Sequence, residues 1–353
     1  MSERVLVRHG ALASLGALAA EQLRPHRWVI VTDETVASLY ADRVVRSFGG
    51  ARVDVIAIPP GEAHKTRATW AEVTDRMLAL GVGRDAAVVA LGGGVVGDLA
   101  GFVAATYMRG IPVVQAPTTL LAMIDASIGG KTAVDTPAGK NLVGAFHAPA
   151  LVVADPEALG TLPLPELRAG LAEALKHGVV ADADYFARLE HDLPALVAPG
   201  GHRGEAMAAL IARSIAIKQD VVQRDAREDG VRRTLNFGHT IGHAVEALSA
   251  YRLLHGEAVA IGMALESRLA ERIGVAERGT ASRVAGALAR AGLPAARPAD
   301  QAPDAVLAAT RSDKKARAGA VEYALPARVG AMAGADSGWS VRVPDEAVLE
   351  VLA

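Results

Sequence analysis

Through its first half the chain alternates short β-branched runs with helix-patterned segments, and no other feature limits its possible folds as strongly. Residues 4–8 read as a short strand. Residues 28–32 (WVIVT) and 53–58 (VDVIAI) read as strands closed by Asp33 and by Pro59-Pro60-Gly61. Residues 34–48 and 69–80 are helical in pattern, 86–91 (AAVVAL) form a buried strand, and 113–116 and 151–153 form further strands. Helices between strands return the chain to the same end of a sheet, which makes the sheet mostly parallel and covers both its faces. Ligands of such sheets sit beyond the C-terminal ends of the strands.

That rule makes the segment after each strand a candidate for binding. Residues 92–98 (GGGVVGD) come after the 86–91 strand and open a helix, with G-x-G-x-x-G spacing. In that setting a pyrophosphate meets backbone N–H groups at a helix N-terminus. The match departs from the standard fingerprint, because it comes after a later strand and lacks an acidic residue ~20 positions on. Asp33, ending an earlier strand, is the candidate for the ribose. Residues 61–65 (GEAHK) form a second candidate nucleotide loop, the alternative being a solvated turn. Residues 124–141 (IDASIGGKTAVDTPAGKN) set Lys131 and Lys140 directly after glycines, flanked by Asp125 and Asn141. The spacing is not that of a phosphate-binding P-loop. A loop with this lysine, aspartate and asparagine content suits a polyhydroxylated anion, and an ordinary exposed loop is the alternative.

After residue 155 the pattern turns helical. Residues 164–180 carry Leu167, Leu171 and Leu175 on one stripe, and Glu173 and Lys176 lie three apart on another face, the spacing of a surface ion pair. Residues 205–224 put Lys218 on a stripe with Ile211, Ile215 and Val222. This predicts an interior ammonium, which needs an anionic partner. Residues 257–273, 280–291 and 345–352 read as helices, and 321–325 as a strand. Residues 234–260 (TLNFGHTIGHAVEALSAYRLLHGEAVA) place His239 and His243 four apart on one helix face and His255 at the start of the next helix. Gly238, Gly242 and Gly256 stand beside them, although each glycine costs a helix roughly 1 kcal/mol against alanine. This stretch reads as one wall of a metal site, the alternative being packed core histidines.

Composition narrows the chemistry. The 353 residues are 51% hydrophobic, enough for two domains and a sizeable core. A net charge of −2 predicts no nucleic-acid or membrane attraction. With no cysteine, a metal here takes nitrogen and oxygen ligands. The start shows no signal-peptide pattern, and glycines with Asp98 interrupt the most apolar span, 86–108. A soluble cytoplasmic protein is expected.

Taken together, residues 92–110, 117–146, 164–178 and 232–260 resemble the 3-dehydroquinate synthases, sugar-phosphate cyclases, over nearly the whole chain. The resemblance implies an α/β N-terminal nucleotide-binding (Rossmann-like) domain over 1–160 and an all-α C-terminal metal-binding domain over 161–353. It implies a homodimer that uses NAD catalytically together with Zn2+ or Co2+. Carried over by position, the metal ligands are Glu173, His239 and His255, whereas spacing alone favours His239 with His243. His243 then becomes a proton-transfer and phosphate-contacting group. The implied substrate contacts are Asp125, Lys131, Asn141, Lys176, Lys218, Arg232, Asn236 and His243, with Lys314 preferred to Lys315. Arg109 matches an arginine reaching the phosphate bound by the neighbouring subunit. The implied NAD contacts are Asp33, Glu62, Lys65, Gly94, Val95, Val96, Gly97, Asp98, Thr118, Thr119, Lys131 and Lys140, and the turn of Ala158, Leu159, Gly160 and Thr161. The implied substrate is 3-deoxy-D-arabino-heptulosonate 7-phosphate. Related cyclases of the amino-dehydroquinate, valiolone or inosose type, and metal-dependent alcohol or glycerol dehydrogenases, are the alternatives among enzymes. A non-catalytic nucleotide- or metal-binding module is the third class.

Overall fold

The computed structural model describes residues 4–250, 252–311 and 321–353. The chain forms two compact units, Met1–Leu162 with His202–Ile215, and Pro163–Gly201 with Ala216–Ala353.

The first unit is built on eight strands: β1 (Val5–Val7), β2 (Arg27–Asp33), β3 (Val53–Ile58), β4 (Ala86–Gly92), β5 (Val113–Pro117), β6 (Lys131–Thr136), β7 (Gly139–Phe146) and β8 (Leu151–Ala154). Six of them make one parallel sheet in the order β1-β8-β5-β4-β2-β3. β4 is buried throughout and β2 nearly so, because helices cover both faces of central parallel strands. Helix α1 is Leu15–Ala20 and α2 is Glu34–Val36, which runs through a π turn (Ala37–Ala41) into α3 (Asp42–Arg46). α4 spans Arg67–Ala79 and α5 Gly94–Thr106. Val29, Val31, Val88, Leu99 and Val103 form the centre of the core.

The order of connection matters for function. From β2 the chain steps outward to β3, then crosses back to β4 and continues through β5 to β8 in the other direction. The crevice beyond the carboxyl ends of β2 and β4 is therefore the switch point of the sheet, where ligands of open α/β sheets bind. Asp33 ends β2 and Gly92 ends β4 at this place.

One expectation is corrected here. Residues 124–141 are not a loop: after a π turn (Ala122–Ala126) the chain forms an antiparallel hairpin of β6 and β7. Lys131 opens β6, and Lys140 and Asn141 lie in β7. Gly129, Gly130 and Gly139, which read as loop signals, serve positive φ beside the strands, and a further glycine allows a close approach. A Cβ on Gly144 would sit 2.1 Å from the Thr132 carbonyl oxygen, and Gly139 has φ 152°.

The second unit is mainly helical: α6 (Leu164–Ala181), α7 (Ala183–Val197), α9 (His239–Leu248), α10 (His255–Arg272), α11 (Thr280–Arg290), α12 (Pro303–Thr310) and α13 (Asp345–Leu352), with α8 (Glu205–Arg224) ending in it. Two small antiparallel pairs, β9 (Glu322–Tyr323) with β12 (Val341–Arg342) and β10 (Pro326–Arg328) with β11 (Ala331–Met332), add to the helices. On α8 Lys218 is buried as expected, but the apolar position beyond it is Val221, with Val222 only half-buried.

α10 packs on both α9 and α6, and glycines set how closely. A Cβ on Gly262 would lie 1.8 Å from the Gly238 carbonyl oxygen, and one on Gly256 would lie 2.1 Å from the Ala169 carbonyl oxygen. Gly238 itself, at φ 78°, turns the chain into α9. The buried Glu266 of α10 caps that helix, accepting from the Gly238 N–H at 2.6 Å and the Ile241 N–H at 2.9 Å. A carboxylate at a helix N-terminus satisfies its orphan donors and its dipole.

Candidate active site and metal centre

Three helices of the second unit converge on one buried carboxylate. Glu173 comes from the middle of α6, His239 from the first turn of α9 and His255 from the first turn of α10. The His239 Nε2 is 3.6 Å and the His255 Nε2 3.5 Å from Glu173 Oε1. The three ligand atoms all lie within 4.8 Å of one another. Zinc bonds of ~2.1 Å in a tetrahedron set ligand atoms about 3.4 Å apart, so the donor set fits a small divalent ion.

The other edge of each ring supports this orientation. The His239 Nδ1 is 3.1 Å from the Phe237 carbonyl oxygen, which can only accept, so Nδ1 carries the proton and Nε2 presents its lone pair. The His255 Nδ1 is 3.4 Å from Glu246 Oε2. Burial pushes the His255 imidazole towards neutrality, but hydrogen bonds with Glu173 and Glu246 outweigh it and raise its pKa to about 9. A bound cation would displace that proton. The His243 ring stands 5.2 Å from the His239 ring and 5.8 Å from the His255 ring, centroid to centroid.

Glu173 and Lys176 are not a surface pair. Both are buried, with the Lys176 Nζ 2.5 Å from Glu173 Oε2. α6 is covered almost all round, so its polar face looks inward too. Arg232 is 2% exposed and its Nη1 donates to the Ala226 carbonyl at 2.8 Å. Asp225, which sequence reasoning missed, shapes this loop by accepting from the N–H groups of Asp229 (3.0 Å), Gly230 (2.7 Å) and Arg232 (3.0 Å). Partial burial works against the Asp225 charge, yet these bonds hold its pKa below the ordinary aspartate value. Glu228, also missed, accepts from the Asn236 amide at 2.6 Å. Glu228 and Asn236 line a cavity of about 270 Å³ with Arg227, Arg233, Tyr323 and Trp339. Lys314 lies outside the described residues.

Several candidates of the first unit form a network of their own charges. The buried Lys65 Nζ is 2.5 Å from Asp98 Oδ2 and donates to Asn141 Oδ1 at 2.6 Å. Burial opposes its charge, but Asp98 and Glu62 hold its pKa above the ordinary lysine value. Lys140 Nζ is 3.5 Å from Glu62 Oε1, and the Asn141 N–H donates to Asp135, with Asn141 at φ 55°. Gly94, Val95, Val96, Gly97 and Asp98 make the first turn of α5, whose N-cap, Gly93, has no side-chain cap to occupy the helix N–H groups. Asp33 caps α2 through its Oδ1, which accepts from the Val36 N–H at 2.9 Å.

Thr118 is buried, and Thr119 accepts from the Ala122 N–H at 3.1 Å. Ala158 and Leu159 are buried, Gly160 is exposed, and the Thr161 hydroxyl meets Tyr40 Oη at 2.7 Å. Asp125 is half-buried at the end of the π turn, Lys131 is exposed, and Arg109 is exposed at φ 67° in a tight turn.

The chain has relatives over nearly its whole length. Residues 55–169 match the model of the 3-dehydroquinate synthase N-terminal family, and residues 170–316 that of the C-terminal family. A 3-dehydroquinate synthase of Synechococcus sp. is 45% identical over 353 residues, covering 99% of this chain and 94% of that protein. The chain belongs to the 3-dehydroquinate synthase family. A second family member, from Pelotomaculum thermopropionicum, is 46% identical over 324 residues, covering 91% of this chain and 86% of that protein.

Solved structures agree with this placement. A 2-epi-5-epi-valiolone synthase from Streptomyces hygroscopicus subsp. jinggangensis, with NAD+ and Zn2+ bound, is 34% identical with a TM-score of 0.88, covering 100% of this chain and 96% of that one. A 2-deoxy-scyllo-inosose synthase complexed with carbaglucose-6-phosphate, NAD+ and Co2+ is 27% identical with a TM-score of 0.88, covering 99% and 95%. A probable glycerol dehydrogenase from Sinorhizobium meliloti, at 18% identity and TM-score 0.67, shares the fold.

Proposed function

We infer that this chain is a 3-dehydroquinate synthase, a phosphate-eliminating lyase that turns 3-deoxy-D-arabino-heptulosonate 7-phosphate into 3-dehydroquinate and inorganic phosphate. What carries the reading is the meeting of Glu173, His239, His255 and Lys176 in a chain of this family. The donor set fits Zn2+ or Co2+, the ions present in the related cyclases, and the α5 loop with Asp33, Glu62, Lys65 and Lys140 is proposed to hold NAD. When bound, the ion acidifies a ring hydroxyl and the nicotinamide borrows and returns a hydride at that carbon.

The residues of the chain do the remaining work. Arg232 and Lys218 are buried cations, suited to a substrate with a carboxylate and a phosphate. Lys176, in contact with Glu173, adds charge where substrate oxygens approach the metal set. Asp125, Lys131, Asn141 and Asn236 are proposed to bind hydroxyls and phosphate, and Arg109 to reach the substrate of a partner subunit. His243 is proposed to take the proton lost from carbon as the neighbouring C–O bond to phosphate breaks. Substrate and product differ only by phosphoric acid, so no net redox occurs, and the site chiefly fixes conformation until the open chain closes on itself by an aldol step.

A second reading, a related cyclase acting on another sugar phosphate, draws on the 34% identity to the valiolone synthase. Arg232 and Lys218 are two buried cations, and a substrate with a carboxylate besides its phosphate would use both. The experiment is to supply the heptulosonate phosphate with NAD and zinc, with glycerol and a carboxylate-free sugar phosphate as parallel substrates. Dehydroquinate and phosphate from the first substrate alone support the reading. NADH from glycerol, or phosphate only from the carboxylate-free sugar phosphate, refutes it.

We further propose a homodimer in the cytoplasm, with residues 1–160 as the nucleotide-binding part and 161–353 as the metal- and substrate-binding part. Leu142, Val143 and Phe146 of β7 are exposed, Phe146 by 62%, as is Met108 beside Arg109, and such apolar surface suits a second copy. No described helix is long and apolar enough to cross a membrane, and the net charge of −2 offers no broad basic surface for nucleic acid.

A further inference from the structure

His239, His243 and Glu246 stand at i, i+4 and i+7 of α9, so the helix presents all three on one face. Glu246 is 4% exposed, and its Oε2 lies 3.4 Å from the Nδ1 of His255, on the edge of the ring opposite Glu173. A buried carboxylate is costly unless a partner uses its charge. The rings of His239 and His255 share one arrangement, with Nδ1 at an acceptor and Nε2 towards Glu173. For His239 the acceptor is the neutral Phe237 carbonyl, and for His255 it is an ionisable side chain two turns further along α9.

We propose that Glu246 is a positioning residue of the metal centre: it fixes the tautomer and ring orientation of His255 and strengthens its Nε2 as a donor, without touching the metal. This rests on the reading of Glu173, His239 and His255 as the ligand set. A carboxylate accepting from Nδ1–H keeps the lone pair on Nε2 and makes the imidazole more basic. Its position explains a second potential donor group, His243, Glu246 and His255, which shares His255 with the first. Glu246 meets His255 at Nδ1, and Glu173 meets it at Nε2, so the two carboxylates use opposite edges of one imidazole.

The test uses the full chain, stripped of metal and titrated with zinc against a chromogenic chelator, as wild type, Glu246→Gln and Glu246→Ala. Gln keeps an acceptor for Nδ1–H and loses the charge, whereas Ala loses both. The expected result is one zinc per chain throughout, with affinity weakened about 10–100-fold for Ala and by a smaller factor for Gln. Cobalt-loaded Glu246→Gln should keep the intensity of its visible bands, which tracks coordination number, while their positions shift. Thermal melting of the metal-free proteins separates a loss of fold from a loss of donor strength. Affinities within about twofold of wild type for both folded variants would overturn the proposal. So would loss of all zinc from folded Glu246→Gln with retention in Glu173→Ala, which would make Glu246 a direct ligand. A wild-type chain that takes up no zinc would remove the ligand-set reading itself, and this proposal with it.

Discussion

Arg232 has surrendered most of its hydration, and its backbone is held by Asp225 while its side chain is held by the Ala226 carbonyl. A guanidinium anchored in this way is proposed to meet the anionic substrate. Arg232→Ala should weaken substrate binding by about 2–4 kcal/mol, seen as a raised KM, since a buried substrate charge would lose its partner. An unchanged KM would remove Arg232 from the site. For His243→Ala, kcat should fall about 10²–10⁴-fold, the usual worth of a positioned acid–base group, with zinc content unchanged. Loss of zinc would instead make His243 a ligand. At this scale the sequence was readable where one charge interrupts an apolar stripe, as Lys218 does on α8. It misled at Glu173 and Lys176, because periodicity assigns charges that lie off the apolar stripe to solvent and makes no provision for two charges that compensate each other inside. Glu246 carried a signal that went unused, the third position of the stripe begun by His239 and His243.

The helices α6, α9 and α10 bring the donors together through glycine contacts, which answers why glycine is tolerated beside the histidines. Gly262→Ala should force α10 away from the turn that starts α9, since its Cβ would meet backbone at 1.8 Å. Overpacking of this kind costs roughly 1–3 kcal/mol, and the separation of donors should lower zinc affinity as well. Calorimetric melting and zinc titration on the same sample check both effects, and a variant with wild-type values of each would contradict this packing account. The Asp225 loop makes a pH-dependent element. Its folded pKa is depressed, so its stabilisation is present above the unfolded value of about 3.9 and is lost as pH falls through the folded value. Amide exchange at Gly230 and Arg232 should therefore quicken in acid relative to Asp225→Asn, whose exchange should lack that step. Elements with strong periodicity were legible, and α8 and α13 have the expected bounds. The β6–β7 hairpin was not, because Gly129, Gly130 and Gly139 read as loop when each serves a positive φ.

For the molecule as a whole, the alternation of strands and helices fixed a parallel sheet, but the strand order, and with it the switch point beside Asp33 and Gly92, exists only in the fold. The return of His202–Ile215 to the first unit likewise left no mark in composition. The proposed reaction has no net redox and needs both NAD and a divalent ion. Chelator should abolish turnover, and zinc or cobalt should restore it, while persistent activity in chelator would contradict the metal assignment. The most direct measurement counts phosphate released against NADH formed when the protein, zinc-loaded and carrying one equivalent of NAD, is given excess 3-deoxy-D-arabino-heptulosonate 7-phosphate. Many phosphates per NAD, with no lasting absorbance from NADH, is the expected result. Phosphate release that stops at one equivalent, or NADH that accumulates in step with product, would contradict the account.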